Sequence, residues 1–448
     1  MKIFSSLKKY CQELAKRRFI KDVLLVGFGI ASAQAITLFF MPALTRMYGP
    51  EAFGVVGVYT SIATVISPIV TFGYTNAIIL PKEDAEAFSL IKLSLGICLL
   101  MTVILFSTIY IFNYFFLKFI GFESSSNILF LLPISLLFIS ISSCLNQLAI
   151  RFGAFKIKSR SHVESTLFTN VTKLGVGVIA PNGISLIIIN LFTIAINTLI
   201  LRSRLKINIK NLRILNFDVK AVAHVAKFYR ESAFYRMPQS VLNAGTVNLP
   251  ILVLSSLFGT SSAGQYSLAF LVLGAPVMLL SESVGQVFSK KISYAINNQQ
   301  TKIEPMIFKA TKGLFLASVA PFALVTVAGD NIFTAVFGAE LLRAGQYSQW
   351  LAPFLLSLLL NRPSIAAIPA LGLEKYFLYY EIIITLLRGG AIALGFQVFK
   401  SDLFAVALFS IVSIIGNWFL IIIVLMYAKK LDEINASNFR CSNFGKLV

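Results

Sequence analysis

VLLVGFGIASAQAITLFFMPALTRMYGPEAFGVVGVYTSIATVISPIVTFGYTNAIIL fills residues 23–80 and decides the fold. Two apolar runs, 23–44 and 53–80, are each long enough to cross a bilayer as a helix, which takes about 20 residues. The turn between them carries Gly49-Pro50, a pair that interrupts a helix. The first run begins only at Val23 and is long enough to span, so it reads as a retained first helix rather than a cleavable signal.

Working outward, the same pattern recurs along all 448 residues. Apolar runs at 91–116, 128–150, 167–180, 184–201, 232–257, 263–289, 307–328, 347–371, 376–399 and 403–427 bring the expected spans to twelve. The fold class is therefore all-α, a polytopic membrane protein. A chain that is 57% hydrophobic and 13% charged, with a mean hydropathy of +0.81, lies far outside soluble globular composition. Its longest polar interruption, 202–231, is too short for a separate soluble domain. The fifth run is the shortest. Its polar beginning, 164–172, makes sense only if neighbouring helices shield that face or it lines water.

Basic residues fix a direction. Thirty of them lie in the tails and turns on the side shared by both termini, against Arg46, Lys118, Arg343 and Lys400 on the other. By the positive-inside rule both termini are expected in the cytoplasm. The net charge of +20 is then explained by anionic phospholipid headgroups, without a nucleic-acid partner. In the basic tail, 1–22, Ile3, Leu7, Tyr10 and Leu14 recur at helical spacing, which suits a helix lying on the inner leaflet as well as a solvated tail.

The chain also repeats itself. LTRMYGPEAFG at 44–54 and LSSLFGTSSAG at 254–264 are 210 residues apart and align Leu44, Gly49 and Gly54 with Leu254, Gly259 and Gly264. Farther on, Gly121 followed by Pro133 is answered by Gly338 followed by Pro353. Six helices separate the copies, so the halves insert in the same direction, as a parallel repeat. The expected domains are the tail 1–22, an N-lobe of spans one to six (23–201), a cytoplasmic linker (202–231), a C-lobe of spans seven to twelve (232–427) and a C-terminal tail (428–448). Two six-helix lobes would enclose a central cleft. In the linker, Val219, Val222, Ala223, Ala226 and Phe228 suggest an amphipathic face lying on the membrane.

The stretch LTRMYGPEAFGVVGVYTSIATVISPIVTFGYTNAIILPKEDAEA, residues 44–87, resembles the opening of the bacterial polysaccharide-biosynthesis transporters, the O-antigen and oligosaccharide flippases. Span number, duplication and the Tyr229-Arg230 pair before span seven extend the likeness over the chain. The resemblance implies the two-lobed fold of the multidrug and toxin extruders and the lipid II flippases. It also implies a substrate: a polyprenyl-pyrophosphate-linked oligosaccharide, carried to the periplasmic leaflet by alternating access. Association with the polysaccharide polymerase machinery is the partner this pathway implies.

A charge at mid-bilayer costs about 2.5–3.5 kcal/mol on insertion scales, so each one calls for a reason. Lys173, Arg236, Arg362 and Arg388 are the candidate substrate-binding cations, because guanidinium forks match phosphate oxygens in geometry and charge. Snorkelling to the headgroups competes for Arg236, and structural ion pairing for Lys173 and Arg388. Glu282 and Glu381 are the candidate carriers of a coupling H⁺ or Na⁺, since an apolar surrounding favours a protonated carboxyl near neutral pH. For Glu381, seven residues before Arg388, balancing an arginine is the competing role. No other cofactor and no metal is expected: Cys11, Cys98, Cys144 and Cys441 stand singly, and His162 and His224 lie in basic loops without ligand spacing. An ion-coupled drug exporter of the same fold is the first rival, although span one lacks an acidic residue and the deep charges are mainly cations. A membrane glycosyltransferase or polymerase is the second, although the outer turns are too short for a catalytic loop.

Overall fold

The computed structural model describes residues 2–81, 83–120, 128–205, 219–230, 232–298 and 302–444, and among these all regular structure is helical. Side chains are described between residues 27 and 433 with short gaps, one of which takes in Glu282. The first helix, α1 (Lys2–Val70), carries the tail, the first run and the second as far as Val70, short of the expected 80, where a 3₁₀ turn, Tyr74–Ala77, follows; it leaves helical geometry at Gly49, φ 69°. There follow α2 (Asp84–Ile120), α3 (Leu131–Arg151), α4 (Phe155–Ile179), α5 (Gly183–Arg204), α6 (Val219–Phe228) and α7 (Met237–Phe258). The chain continues through α8 (Thr260–Asn298), α9 (Ile303–Phe337), α10 (Leu342–Leu360), α11 (Arg362–Leu371), α12 (Glu374–Phe399) and α13 (Asp402–Phe444).

Among the described residues, ten helical segments are long and apolar enough to span. One of them, Gly27–Val70, is split in two at Gly49, and α4 falls short of the apolarity of the rest, which accounts for the twelve expected. Large apolar side chains face outward throughout: Phe39, Val178, Ile179 and Val327 keep more than three quarters of their surface exposed. Such a surface is untenable in water and ordinary in lipid.

The repeat is written in the backbone. Gly49 (φ 69°) and Gly259 (φ 89°), equivalent in the two copies, both adopt the positive φ that glycine alone tolerates without strain. A 3₁₀ turn, Ile128–Phe130, leads into α3 and its Pro133, and another, Ala339–Leu341, leads into α10 and its Pro353. Gly121 lies outside the described residues.

The chain divides into two compact units, Met1–Asn248 and Leu249–Val448, and the division falls inside α7. In the first unit α4 explains its own polarity. Its buried face holds Ser161, Ser165, Thr169 and Asn170. Ser161 donates to Asn197 Oδ1 of α5 at 2.6 Å, and the Thr169 and Thr193 hydroxyls pair at 2.7 Å. Leu167, Phe168 and Val171 are exposed instead. A helix with polar groups inside and apolar groups outside belongs in a bilayer, with its hydroxyls paired across the helix interface.

The linker helix α6 differs from its expected face. Val222 and Val225 are buried, while Ala223 and Phe228 are exposed. Val225 joins a core with Leu90 and Ile91 of α2 and with Tyr74 and Leu148. The helix therefore spends its apolar stripe on the protein. In the second unit, Asp402 at the start of α13 holds Arg343 in an ion pair, accepts from the Tyr347 hydroxyl, and accepts from Ser262 at 3.2 Å. Three helix ends are fastened there.

Candidate functional site

The sequence-predicted residues separate between the units. Lys173 lies on α4 in the first unit, half-buried, with its carbonyl accepting from the Tyr48 hydroxyl at 2.8 Å. Arg236 ends the π-helical turn Ser232–Arg236 before α7 and is exposed. Glu282 falls among the side chains outside the description. Arg362, Glu381 and Arg388 come together in the second unit.

Arg388 is 8% exposed, on the face of α12 turned to α13. Its Nε donates to Ser413 Oγ at 2.9 Å, and its guanidinium carbon stands 5.9 Å from the Phe409 ring centroid. Glu381, seven residues earlier on the same helix, interacts electrostatically with both Arg388 and Arg362. Every ion pair found within 4.0 Å among the described residues lies elsewhere. The carboxylate closes an ion pair with neither arginine.

Around these charges runs a seam of small polar residues that the charged-residue argument passed over. Asn361, at the junction of α10 and α11, donates to Asn417 Oδ1 at 3.3 Å, and Asn417 donates to Ser357 Oγ at 2.9 Å. All three are at most 3% exposed. Pro363 makes this junction possible, because it lacks the N–H that a continuous helix would use. Several atoms of the seam are buried without a partner: Tyr266 OH, Asn361 Oδ1, Arg362 Nε, Ser364 Oγ, Tyr380 OH and Ser410 Oγ. Leaving a buried polar atom unpaired costs about 1–3 kcal/mol, so such a concentration marks a place prepared for water, an ion or a polar ligand. The signal was present in the sequence. Ser410, Ser413 and Asn417, like Ser357, Asn361 and Ser364, recur at three- and four-residue intervals and draw a polar stripe down an otherwise apolar helix.

Two arginines and one carboxylate, inside an apolar body and ringed by unsatisfied hydroxyls and amides, can hold an anionic group or take up and release a cation at Glu381.

The fold is shared with known transporters. The structure resembles an inward-facing multidrug resistance MATE family transporter of the MOP superfamily, with a TM-score of 0.68 and 15% identity over 92% of this chain and 96% of that one. It resembles the lipid II flippase MurJ in an inward closed conformation equally well, with a TM-score of 0.68, 16% identity and coverage of 92% and 91%. A MOP superfamily transporter from Pyrococcus furiosus gives a TM-score of 0.62 at 13% identity, covering 93% and 96%. Comparison with curated proteins finds no match. Residues 43–345, well over half of the sequence, match the profile of polysaccharide biosynthesis proteins, and the chain belongs to that family of multi-pass membrane proteins.

Proposed function

We propose that the chain is a flippase that carries a polyprenyl-pyrophosphate-linked oligosaccharide, an O-antigen or similar repeat unit, from the cytoplasmic to the periplasmic leaflet of a bacterial inner membrane. Family membership supports a role in polysaccharide synthesis, and the shared fold is that of flippases and exporters. The observation that carries the reading is Arg388, buried in the second unit and hydrogen-bonded to Ser413 without closing an ion pair among the described residues. A buried guanidinium group, with the half-buried Arg362 in the same unit and neither in a closed ion pair, suits a substrate that brings its own negative charge. A cationic drug would meet the wrong sign there.

In this reading Lys173 of the first unit and Arg362 and Arg388 of the second attract the pyrophosphate, and Arg236 assists at the membrane surface. The sugar crosses by alternating access while the prenyl tail stays in lipid. Glu381 and Glu282 are the carriers proposed for a coupling H⁺ or Na⁺. Both termini face the cytoplasm, as the Lys/Arg asymmetry requires. Phospholipids surround the chain, and the polymerase machinery receives its product; no cofactor beyond the coupling ion and no catalytic role is proposed. Depleting the protein should leave lipid-linked oligosaccharide in the cytoplasmic leaflet and reduce surface polysaccharide. Unchanged surface polysaccharide with no build-up of the lipid intermediate would contradict the reading.

A further inference from the structure

At one end of the first unit, where α1 and α3 end and α4 begins, a pocket of about 230 Å³ opens. Eight of its eleven lining residues have polar side chains and only one of these, Lys158, is charged. Thr71, Thr75, Asn76, Ser143, Asn146 and Gln147 supply most of the wall. A site for a bare phosphate would concentrate cations. One rich in amides and hydroxyls suits a ligand whose groups both donate and accept, as sugar hydroxyls and acetamido groups do.

Some of this hydrogen-bonding capacity stands unused. Gln147 Oε1 is buried without a partner. The Asn146 amide nitrogen is committed to Ser142, to its carbonyl at 2.9 Å and its hydroxyl at 3.4 Å, which keeps the Asn146 carbonyl oxygen available at the pocket.

The wall is also built to hold its shape. Phe72 (φ 47°) and Gly73 (φ 68°) both lie in the left-handed region. A non-glycine residue persists there only where its surroundings over-determine it, and such strain gathers at ligand sites. Here the turn is closed by Phe72 N–H donating to the Ile69 carbonyl at 3.0 Å and Gly73 N–H to the Pro68 carbonyl at 3.1 Å, and the segment after it is anchored as well. Arg151 donates to the carbonyls of Ile78 at 3.4 Å and Pro81 at 2.6 Å while pairing with Asp84 at 2.8 Å. The Tyr74 hydroxyl donates to the Ala226 carbonyl of α6 at 3.1 Å. A pocket fixed before the ligand arrives loses little entropy on binding.

We propose that this pocket binds one glycosyl residue of the substrate headgroup before transport. The inference rests on the flippase reading, in which this end of the unit, which carries Arg151, Lys156, Lys158 and Arg160, faces the cytoplasm where substrate is loaded.

The test uses the purified full chain in nanodiscs and two probes: polyprenyl pyrophosphate bearing one N-acetylhexosamine, and the same lipid without sugar. The wild type should bind the glycosylated lipid about tenfold more tightly, the worth of one or two net hydrogen bonds. Gln147→Met removes the unpaired acceptor at nearly constant shape and should melt no lower than wild type. It should nevertheless lose most of the preference for the sugar-bearing lipid, with affinity for the bare lipid unchanged, and Asn146→Ala should do the same. Equal wild-type affinity for the two lipids, or full preference retained by both variants, would overturn the pocket and leave the flippase reading standing. Binding of neither lipid would overturn both.

Discussion

Arg388→Gln should lower delivery of lipid-linked oligosaccharide to the outer leaflet by about ten- to a hundredfold, the loss of a charge-assisted contact worth roughly 1.5–3 kcal/mol. The protein should still accumulate in the membrane. Glutamine retains a donor for Ser413 Oγ, now 2.9 Å from Arg388 Nε, and relieves the core of a charge that closes no ion pair among the described residues. Glu381 keeps Arg362 as its cationic neighbour. Arg388→Lys retains the charge without the fork and should fall between the two. Quantitative immunoblotting of membranes beside an assay of surface polysaccharide separates the outcomes. If Arg388→Gln removes the protein itself and Glu381→Gln restores it, the pair is structural and the phosphate role fails.

Gly345→Val should remove nearly all folded protein from the membrane. A Cβ added at Gly345 would stand 2.6 Å from Asp330 Cα and 2.9 Å from the Gly329 carbonyl oxygen. These are backbone atoms of α9, so no side chain can swing aside, and the helices would have to separate. Overpacking typically costs about 1–3 kcal/mol where side chains can adjust, and the cost here should lie at or above the top of that range. Gly313, on the same helix α9, has nothing within 4 Å of its would-be Cβ. Gly313→Ala should therefore be neutral or slightly stabilising, since alanine is the better helix former. Thermal melting of the detergent-solubilised variants reads both. A normal melting curve for Gly345→Val would refute the α9–α10 packing.

Most of this architecture was legible because it follows from transfer free energy along the chain. Ten segments among the described residues declare themselves by their apolarity, and the turn glycines at 49 and 259 declare the repeat by their spacing. The expectations weakened wherever a helix faces protein rather than lipid. In α4 apolarity fails as a guide because Ser161 and Thr169 are satisfied by Asn197 and Thr193 on α5. In α6 the pattern showed that a face exists without showing what covers it: Val225, absent from the expected set, is buried against α2, while Phe228 is left out. The candidate site was legible first in its charges. Arg362, Glu381 and Arg388 stand out in an apolar run, whereas the stripes through Asn361 and through Ser413 and Asn417 are visible in the sequence only as spacing, and which groups they pair with shows only when helices far apart in sequence lie side by side. Lys173 stands out equally on the page, yet its side chain adjoins no acidic partner in the first unit among the described residues.

The most direct test of the central claim is reconstitution. Purified protein in proteoliposomes carrying a polyprenyl-pyrophosphate-linked oligosaccharide in both leaflets is challenged with a membrane-impermeant glycosidase, with and without an imposed H⁺ or Na⁺ gradient. The flippase reading predicts that the glycolipid of the inner leaflet also becomes cleavable over time, at a rate that rises with protein content and falls in Arg388→Gln. Cleavage that stops at the outer-leaflet pool under every gradient, as in protein-free liposomes, would contradict it.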